Sequence, residues 1–458
     1  MTWYHADIYD REKPVPSFWA GDAPPLASHV DHGPLTADMS CDVAIIGGGY
    51  TGLSAALHLV RDYHIDVVLL EAGPLGWGAS GRNGGFCSLP SMSLSYSQLI
   101  SRYGADEARR FMATQCEAID LVAELSESEG FDIARQGNGT LHVAHAPSRM
   151  SELADEAEYL TRHFGFTASL LTREEVAEQH YDSTEQFGAL HLQKGFGLHP
   201  LRFARGLAKA AARHGAKLFG HSEVVSWEKS AGIHLLRTKG GTLKARRVIV
   251  ATNGFTQNNL ERNIADRLMP VVSNIIVTRP LSEAECAAQK WQTDIPCSNT
   301  RNLLFYYRML PDRRFLFGAR GDLTGSPEAG GRRRAFMTRR LGEVFPAWRD
   351  VEITHYWRGL VCMTGRFTPA IGTMPDDSSV SFALAYHGDG VAAAPWAGRK
   401  LAQLIGGEAA FDAIPAPYRG LPPRFPVPSL KRWYLGAALG YYWLQDKQSV
   451  FGHGNERS

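Results

Sequence analysis

The chain has 458 residues, a net charge of +1, 44% hydrophobic and 21% charged residues. That balance suits a globular protein long enough for two or more cores, and it excludes a global field for nucleic acid or an anionic membrane. Six cysteines, none in a CxxC pair, point to reduced thiols in a cytoplasmic protein rather than a disulfide framework or a zinc site.

Residues 1–38 are rich in proline, glycine and histidine and read as an extended arm that docks through Trp3, Tyr4, Phe18 and Trp19. They lack the basic-then-apolar order of a signal peptide. No stretch of the chain approaches the ~20 apolar residues of a membrane helix.

The segment that follows organises the chain. Cys41–Ile46 is a short apolar run, the pattern of a buried parallel strand. Gly47-Gly48-Gly49-Tyr50-Thr51-Gly52 carries G-x-G-x-x-G, and Thr51–Tyr63 repeats Leu53, Ala56, Leu57 and Val60 at helical spacing. Ile65–Leu70 is a second apolar strand, closed by Glu71. In that order Gly47 makes the turn, Gly49 admits a pyrophosphate and Gly52 lets helix and strand pack closely. The pyrophosphate sits at the helix N-terminus and Glu71 accepts from a ribose hydroxyl. A glycine turn in an ordinary βαβ unit is the competing reading. A second glycine-rich loop, Gly76–Gly85, comes directly after the acid, where a nicotinamide-binding domain continues into a helix. Here Ser80 and Arg82 can meet phosphate oxygens, and Asn83-Gly84-Gly85 can lie along a ring edge.

Helical spacing returns over Tyr96–Tyr103 and Asp106–Glu129. Gly137–His145 reads as a strand, Pro147–Phe164 and Glu174–Gln179 as helices, and Leu201–His214 as a strong helix opened by Pro200. Lys217–Gly220, Ser222–Glu228 and Arg246–Ala251 are further strands, the last ending in Thr252-Asn253-Gly254. That turn is either a ligand contact at the carboxyl edge of the sheet or an ordinary strand exit. Pro270–Arg279, Leu303–Leu310, Phe315–Ala319 and Val351–Leu360 have the β-branched and aromatic content of an antiparallel sheet, with a hairpin at Asp312-Arg313-Arg314. Ala329–Val344 is a helix whose arginine run reads as a solvated face, an acidic partner being the minority reading. Ser381–Ala385 is a last strand, followed by His387-Gly388-Asp389-Gly390 and the helix Val391–Ile405. Pro428–Lys447 is an aromatic helix suited to docking on the body or on another subunit.

The motifs Trp3-Tyr4-His5, Gly47–Gly52, Ala79–Gly85, Gly197–Pro200, Ala251–Gly254 and His387–Val391 together resemble the D-amino-acid oxidase (DAO) superfamily of FAD enzymes. Within it they are most similar to the gamma-glutamylputrescine oxidoreductase group. The resemblance implies an α/β chain, α+β overall. A Rossmann-like FAD-binding domain would be built from 39–100, 195–265 and 360–410. A mainly antiparallel substrate domain would be built from 101–194 and 266–359, with a tail at 411–458. It implies FAD contacts from Gly47, Gly49, Tyr50, Thr51, Gly52, Glu71, Ala79, Ser80, Arg82, Asn83, Gly84, Gly85, Asn253, Gly388, Asp389, Gly390 and Val391, with Val225 giving the adenine a backbone contact. The helix after Asp389 would point its positive end at the flavin pyrimidine ring. Non-covalent FAD is expected, because Cys362 is offset from the position a cysteinyl linkage would need.

The activity implied is oxidation of a C–N bond in an amine or amino acid, for which a gamma-glutamylated polyamine is the first candidate. Hydride would pass to flavin N5, the imine would hydrolyse, and oxygen would reoxidise the flavin to give hydrogen peroxide. Two alternatives stay open: a dehydrogenase of another secondary amine or amino acid with a different acceptor, and a non-catalytic FAD-binding subunit. Flavin carries the hard step, so few protein groups are required. The candidates are Tyr306, Tyr307 and Arg308, aromatic walls and a carboxylate-holding fork, with His387 and Trp357-Arg358 in second place. The competing reading turns one of the tyrosines into the core and leaves Arg308 at the surface. A homo-oligomer is compatible with the sequence.

Overall fold

Two large β-sheets and the helices packed on them make up the computed structural model, which describes residues 3–89 and 94–451. The first sheet runs in the order Ala370–Met374, Asp377–Leu384, Thr242–Val250, Met39–Ile46, Val67–Leu70, Lys217–Phe219. Its four inner pairings, from Asp377–Leu384 to Lys217–Phe219, are parallel. Ala44, Ile45, Val67, Val68 and Leu69 have no measurable exposure, as expected of strands covered on both faces. Ile233–Arg237 and Ser226–Ser230 extend the sheet as an antiparallel pair on Thr242–Val250.

Over this sheet the helices Tyr50–Tyr63 and Gly390–Gly406 cross at close range. A Cβ on Gly398 would lie 2.4 Å from the Thr51 carbonyl oxygen, so only glycine allows the approach. The crossing sets the two helix starts, Tyr50 and Gly390, beside one cavity.

The second sheet runs Ile353–Met363, Met269–Pro280, Arg314–Arg320, Phe305–Met309, Cys297–Asn299, Thr140–Val143, Gly188–Leu192, Ala168–Thr172. Every pairing in it is antiparallel except that between Cys297–Asn299 and Thr140–Val143. Strand alternation gives it two unlike faces. Phe305, Tyr307, Phe315 and Phe317 turn into a core with Trp291, Phe345 and Trp348, beside the helix Pro327–Val344. Tyr306, Ser273, Ile275 and Arg320 line the cavity shared with the first sheet. A short antiparallel ribbon pairs Phe86–Ser88 with Gly195–Gly197.

The expected elements occur with shifted ends, among them Ala105–Ser128, Met269–Pro280, Ile353–Met363 and Gly390–Gly406. Val224 and Val225 precede a strand rather than lie in one. The arm is less extended than its composition suggests. It folds into a turn at Ala6–Ile8 and a short helix at Phe18–Asp22, and Tyr4 and Trp19 are buried. The arginine run is not simply solvated. Arg333 donates to the Arg320 carbonyl and lies over Phe336, and Arg340 is paired with Glu185 and Glu343. The six cysteines are unpaired. Among the described residues, no helix is long and apolar enough to cross a membrane.

Candidate active site

A cavity of about 1410 Å³ runs between the two sheets. Sites for one drug-sized ligand span roughly 300–1,000 Å³, so this space can hold a dinucleotide and a second molecule.

Its first part is a cradle made by backbone. Gly47 adopts φ +113°, and a Cβ there would lie 2.6 Å from the Ala251 carbonyl oxygen. The helix Tyr50–Tyr63 starts behind Gly49, which has no side chain to cap it, so apart from the Tyr50 N–H, which Ser80 takes, its first turn keeps its positive end for a ligand. The helix Gly390–Gly406 likewise starts without a side-chain cap on its first turn. Glu71 accepts from the N–H of Gly48 at 2.6 Å and of Gly73 at 2.9 Å. Burial pushes its carboxyl pKa up, while those N–H groups and Arg11 act against the rise. Ser80 Oγ accepts from the Tyr50 N–H at 2.9 Å, which ties the second glycine loop to the first helix turn. Arg82 is stacked 4.0 Å over Trp77 and donates to the Trp77 carbonyl.

Gly47, Gly49, Tyr50, Thr51, Glu71, Ala79, Ser80, Arg82, Asn83, Gly84, Val225, Asn253, Gly388, Asp389, Gly390 and Val391 all line this cavity. Gly52 and Gly85 do not, because both are packed against backbone. A Cβ on Gly52 would lie 2.0 Å from the Gly47 oxygen, and one on Gly85 1.9 Å from the Leu198 oxygen. They shape the cradle without facing its contents. Trp77 Nε1 is buried without a protein partner at the wall of this cavity. The glycine cradle, the two helix starts facing it and that spare donor fit FAD.

The second part of the cavity is walled by the second sheet. Tyr306 lies over Gly318, where a Cβ would sit 2.0 Å from the ring, and its hydroxyl is 3.0 Å from Ser273 Oγ. Burial lifts its pKa to about 12, so the phenol stays protonated at neutral pH. Arg320 donates to the His387 carbonyl at 3.2 Å. Sequence reasoning missed it, although its even spacing from Gly318 along one strand marks the same face.

Two expected groups are elsewhere. Tyr307 is in the core of the second sheet, 2.7 Å from the Tyr181 hydroxyl. Arg308 is neither a clamp in the cavity nor a surface residue. It is 1% exposed and donates to the Gly84 carbonyl at 3.0 Å, Gln136 Oε1 at 2.9 Å and the Leu198 carbonyl at 2.6 Å. Three carbonyl acceptors use its fork, and burial lowers its pKa to about 9. Trp357 is buried and donates to the Arg82 carbonyl, and Arg358 pairs with Asp322 at 3.3 Å.

His387 lines the cavity with φ +58°. Burial lowers its pKa to about 3, helped by the charges of Arg320 and Arg366, so the ring is neutral. The Thr364 N–H donates to Nε2, which places the remaining proton on Nδ1, and that nitrogen is buried without a partner. Cys362 also lines the cavity, and burial lifts its thiol to about 12.

Residues 42–404 match the DAO family, described as FAD dependent oxidoreductase. The chain is 32% identical to gamma-glutamylputrescine oxidoreductase of Escherichia coli, over 91% of this chain and 95% of that protein. It is 26% identical to glycine oxidase of Bacillus subtilis, over 80% of this chain and 92% of that protein. Among solved structures, glycine oxidase from Geobacillus kaustophilus superposes with a TM-score of 0.69 at 22% identity, covering 84% of this chain and 100% of that one.

Proposed function

The chain belongs to the DAO family of FAD-dependent oxidoreductases, and on that premise we propose that it oxidises a C–N bond of an amine or amino acid. The observation that carries this reading is the continuity of the cavity. One space joins the glycine cradle to the face bearing Tyr306 and Arg320. The relatives' names favour a small amine or amino acid, and a gamma-glutamylated polyamine is the first substrate to try.

In this reading the strands of the first sheet and the segments 39–100, 195–265 and 360–410 form the FAD-binding unit. Segments 101–194 and 266–359 form the substrate unit. Bound FAD would supply the hydride-accepting ring and pass the electrons to oxygen, giving hydrogen peroxide. The chain supplies orientation and charge. Gly47, Gly49 and the start of the Tyr50–Tyr63 helix would hold the pyrophosphate, and Glu71 would take the ribose hydroxyl on its remaining lone pairs. The start of the Gly390–Gly406 helix, which lines the cavity, would supply positive potential to the bound group. Tyr306, protonated, donates to the substrate, and His387 lines the wall as a neutral ring. The imine then hydrolyses in water to an aldehyde or keto acid and an amine. FAD would be held without a covalent link, since a buried thiol at Cys362 is mostly protonated and a poor nucleophile.

Oxygen consumption and peroxide release test this reading, measured over amines from glycine to gamma-glutamylputrescine. Peroxide formed in proportion to amine consumed supports it. Reduction of an added quinone without oxygen uptake would replace the oxidase with a dehydrogenase.

A further inference from the structure

The helix Lys431–Phe451 lies beyond residues 42–404, the span that matches the family, yet it walls the cavity. Tyr434, Leu435, Ala438, Leu439 and Tyr442 line the same space as Tyr306. Their spacing of one, four, five and eight residues makes a single stripe along an α-helix. Trp433, Tyr441, Trp443 and Leu444 lie outside the stripe and are exposed, Trp433 at 76%.

Both ends are anchored by buried charges. Lys431 is 2% exposed and its Nζ lies 3.2 Å from Asp266 Oδ1. At the far end Asp446, 5% exposed, accepts from the Asn302 N–H at 2.8 Å and the Leu303 N–H at 3.0 Å. That loop leads directly into Phe305–Met309, the strand bearing Tyr306. The helix is therefore pinned across the substrate side of the cavity.

We propose that this helix is the specificity wall of the amine site, and that its apolar stripe, Leu435, Ala438 and Leu439 between Tyr434 and Tyr442, holds the methylene chain of a substrate extending well past the oxidised carbon. The inference rests on the amine-oxidising reading and names its substrate class: long-chain amines over single amino acids. An apolar stripe with a phenol at each end suits an alkyl chain, whose burial is favourable in proportion to its area. A one-carbon side chain would leave the stripe untouched.

The test uses the full-length holoenzyme and Leu435→Trp, which fills the stripe, with Leu435→Met as the conservative control. Steady-state kinetics compare gamma-glutamylputrescine with the shortest amine that reduces the flavin. The expected result is a KM raised about tenfold for the long amine in Leu435→Trp and less than twofold for the short one. Flavin content stays unchanged and Leu435→Met restores the KM. Hydrogen exchange on the anaerobic enzyme adds a readout independent of turnover. Gamma-glutamylputrescine slows exchange of amides within residues 431–447, and the short amine does not. Equal KM shifts for both amines, or no protection of the helix, overturns the wall. Protection of the helix without flavin reduction by any amine supports the wall and overturns the oxidation chemistry.

Discussion

Arg308 shows what one position along a strand decides. The sequence Phe305-Tyr306-Tyr307-Arg308 puts aromatics and a cation together, and alternation splits them. Tyr307 joins the core, Tyr306 faces the cavity, and Arg308 shares the Tyr306 face but is drawn under it by three carbonyl acceptors. Two of those acceptors, Gly84 and Leu198, belong to segments that meet around the second glycine loop, so the guanidinium is a staple for that loop. Lysine has no fork. Arg308→Lys therefore strands at least one buried carbonyl and is expected to cost about 3 kcal/mol in denaturant unfolding of the holoenzyme. Unchanged stability with a raised KM for carboxylate-bearing substrates would return Arg308 to a clamp. The strand was legible in sequence. Which of its residues reached the cavity was not, because that depends on acceptors contributed from residues far away in the chain.

At the scale of elements, the first βαβ unit was the most legible part. Its strand, glycines, helix and acid follow one another in the chain, so their relation is local. Gly52 carries the tightest constraint, with the Gly47 oxygen 2.0 Å from where a Cβ would be. Gly52→Ala is expected to push the first helix turn off the cradle and lower FAD occupancy at least tenfold, read from the ratio of visible to ultraviolet absorbance after purification. Full occupancy would mean the turn can shift without losing its ligand. The substrate side was less legible for the opposite reason. Strands contributed from 140 to 363 meet across the second sheet, and the C-terminal helix docks through Asp446 onto a loop more than a hundred residues earlier. No periodicity within one segment reports such a meeting, although the aromatic content of the helix did signal that it docks.

At the scale of the whole molecule, the burial that shapes the cavity also makes the protein sensitive to acid. His145 and His387 are buried, and burial holds both near a pKa of about 3. Unfolding returns them to about 6.5. Below that pH the unfolded state binds more protons than the folded one, so stability falls as pH drops from about 6.5 towards 3. Each histidine contributes a slope of up to about 1.4 kcal/mol per pH unit. His145→Gln, which removes one titrating ring, is expected to flatten the dependence of unfolding free energy on pH between 6 and 4. An unchanged slope would place the acid sensitivity elsewhere.

The proposed function requires that the cavity join a flavin cradle to an amine site. Its most direct test is the visible spectrum of the purified protein, followed under anaerobic titration with gamma-glutamylputrescine and other amines. The expected result is an oxidised flavin spectrum that bleaches with an amine at a stoichiometry of one. A flavin that stays oxidised across the panel would contradict the amine chemistry, and a colourless protein that FAD cannot reconstitute would contradict the cradle itself.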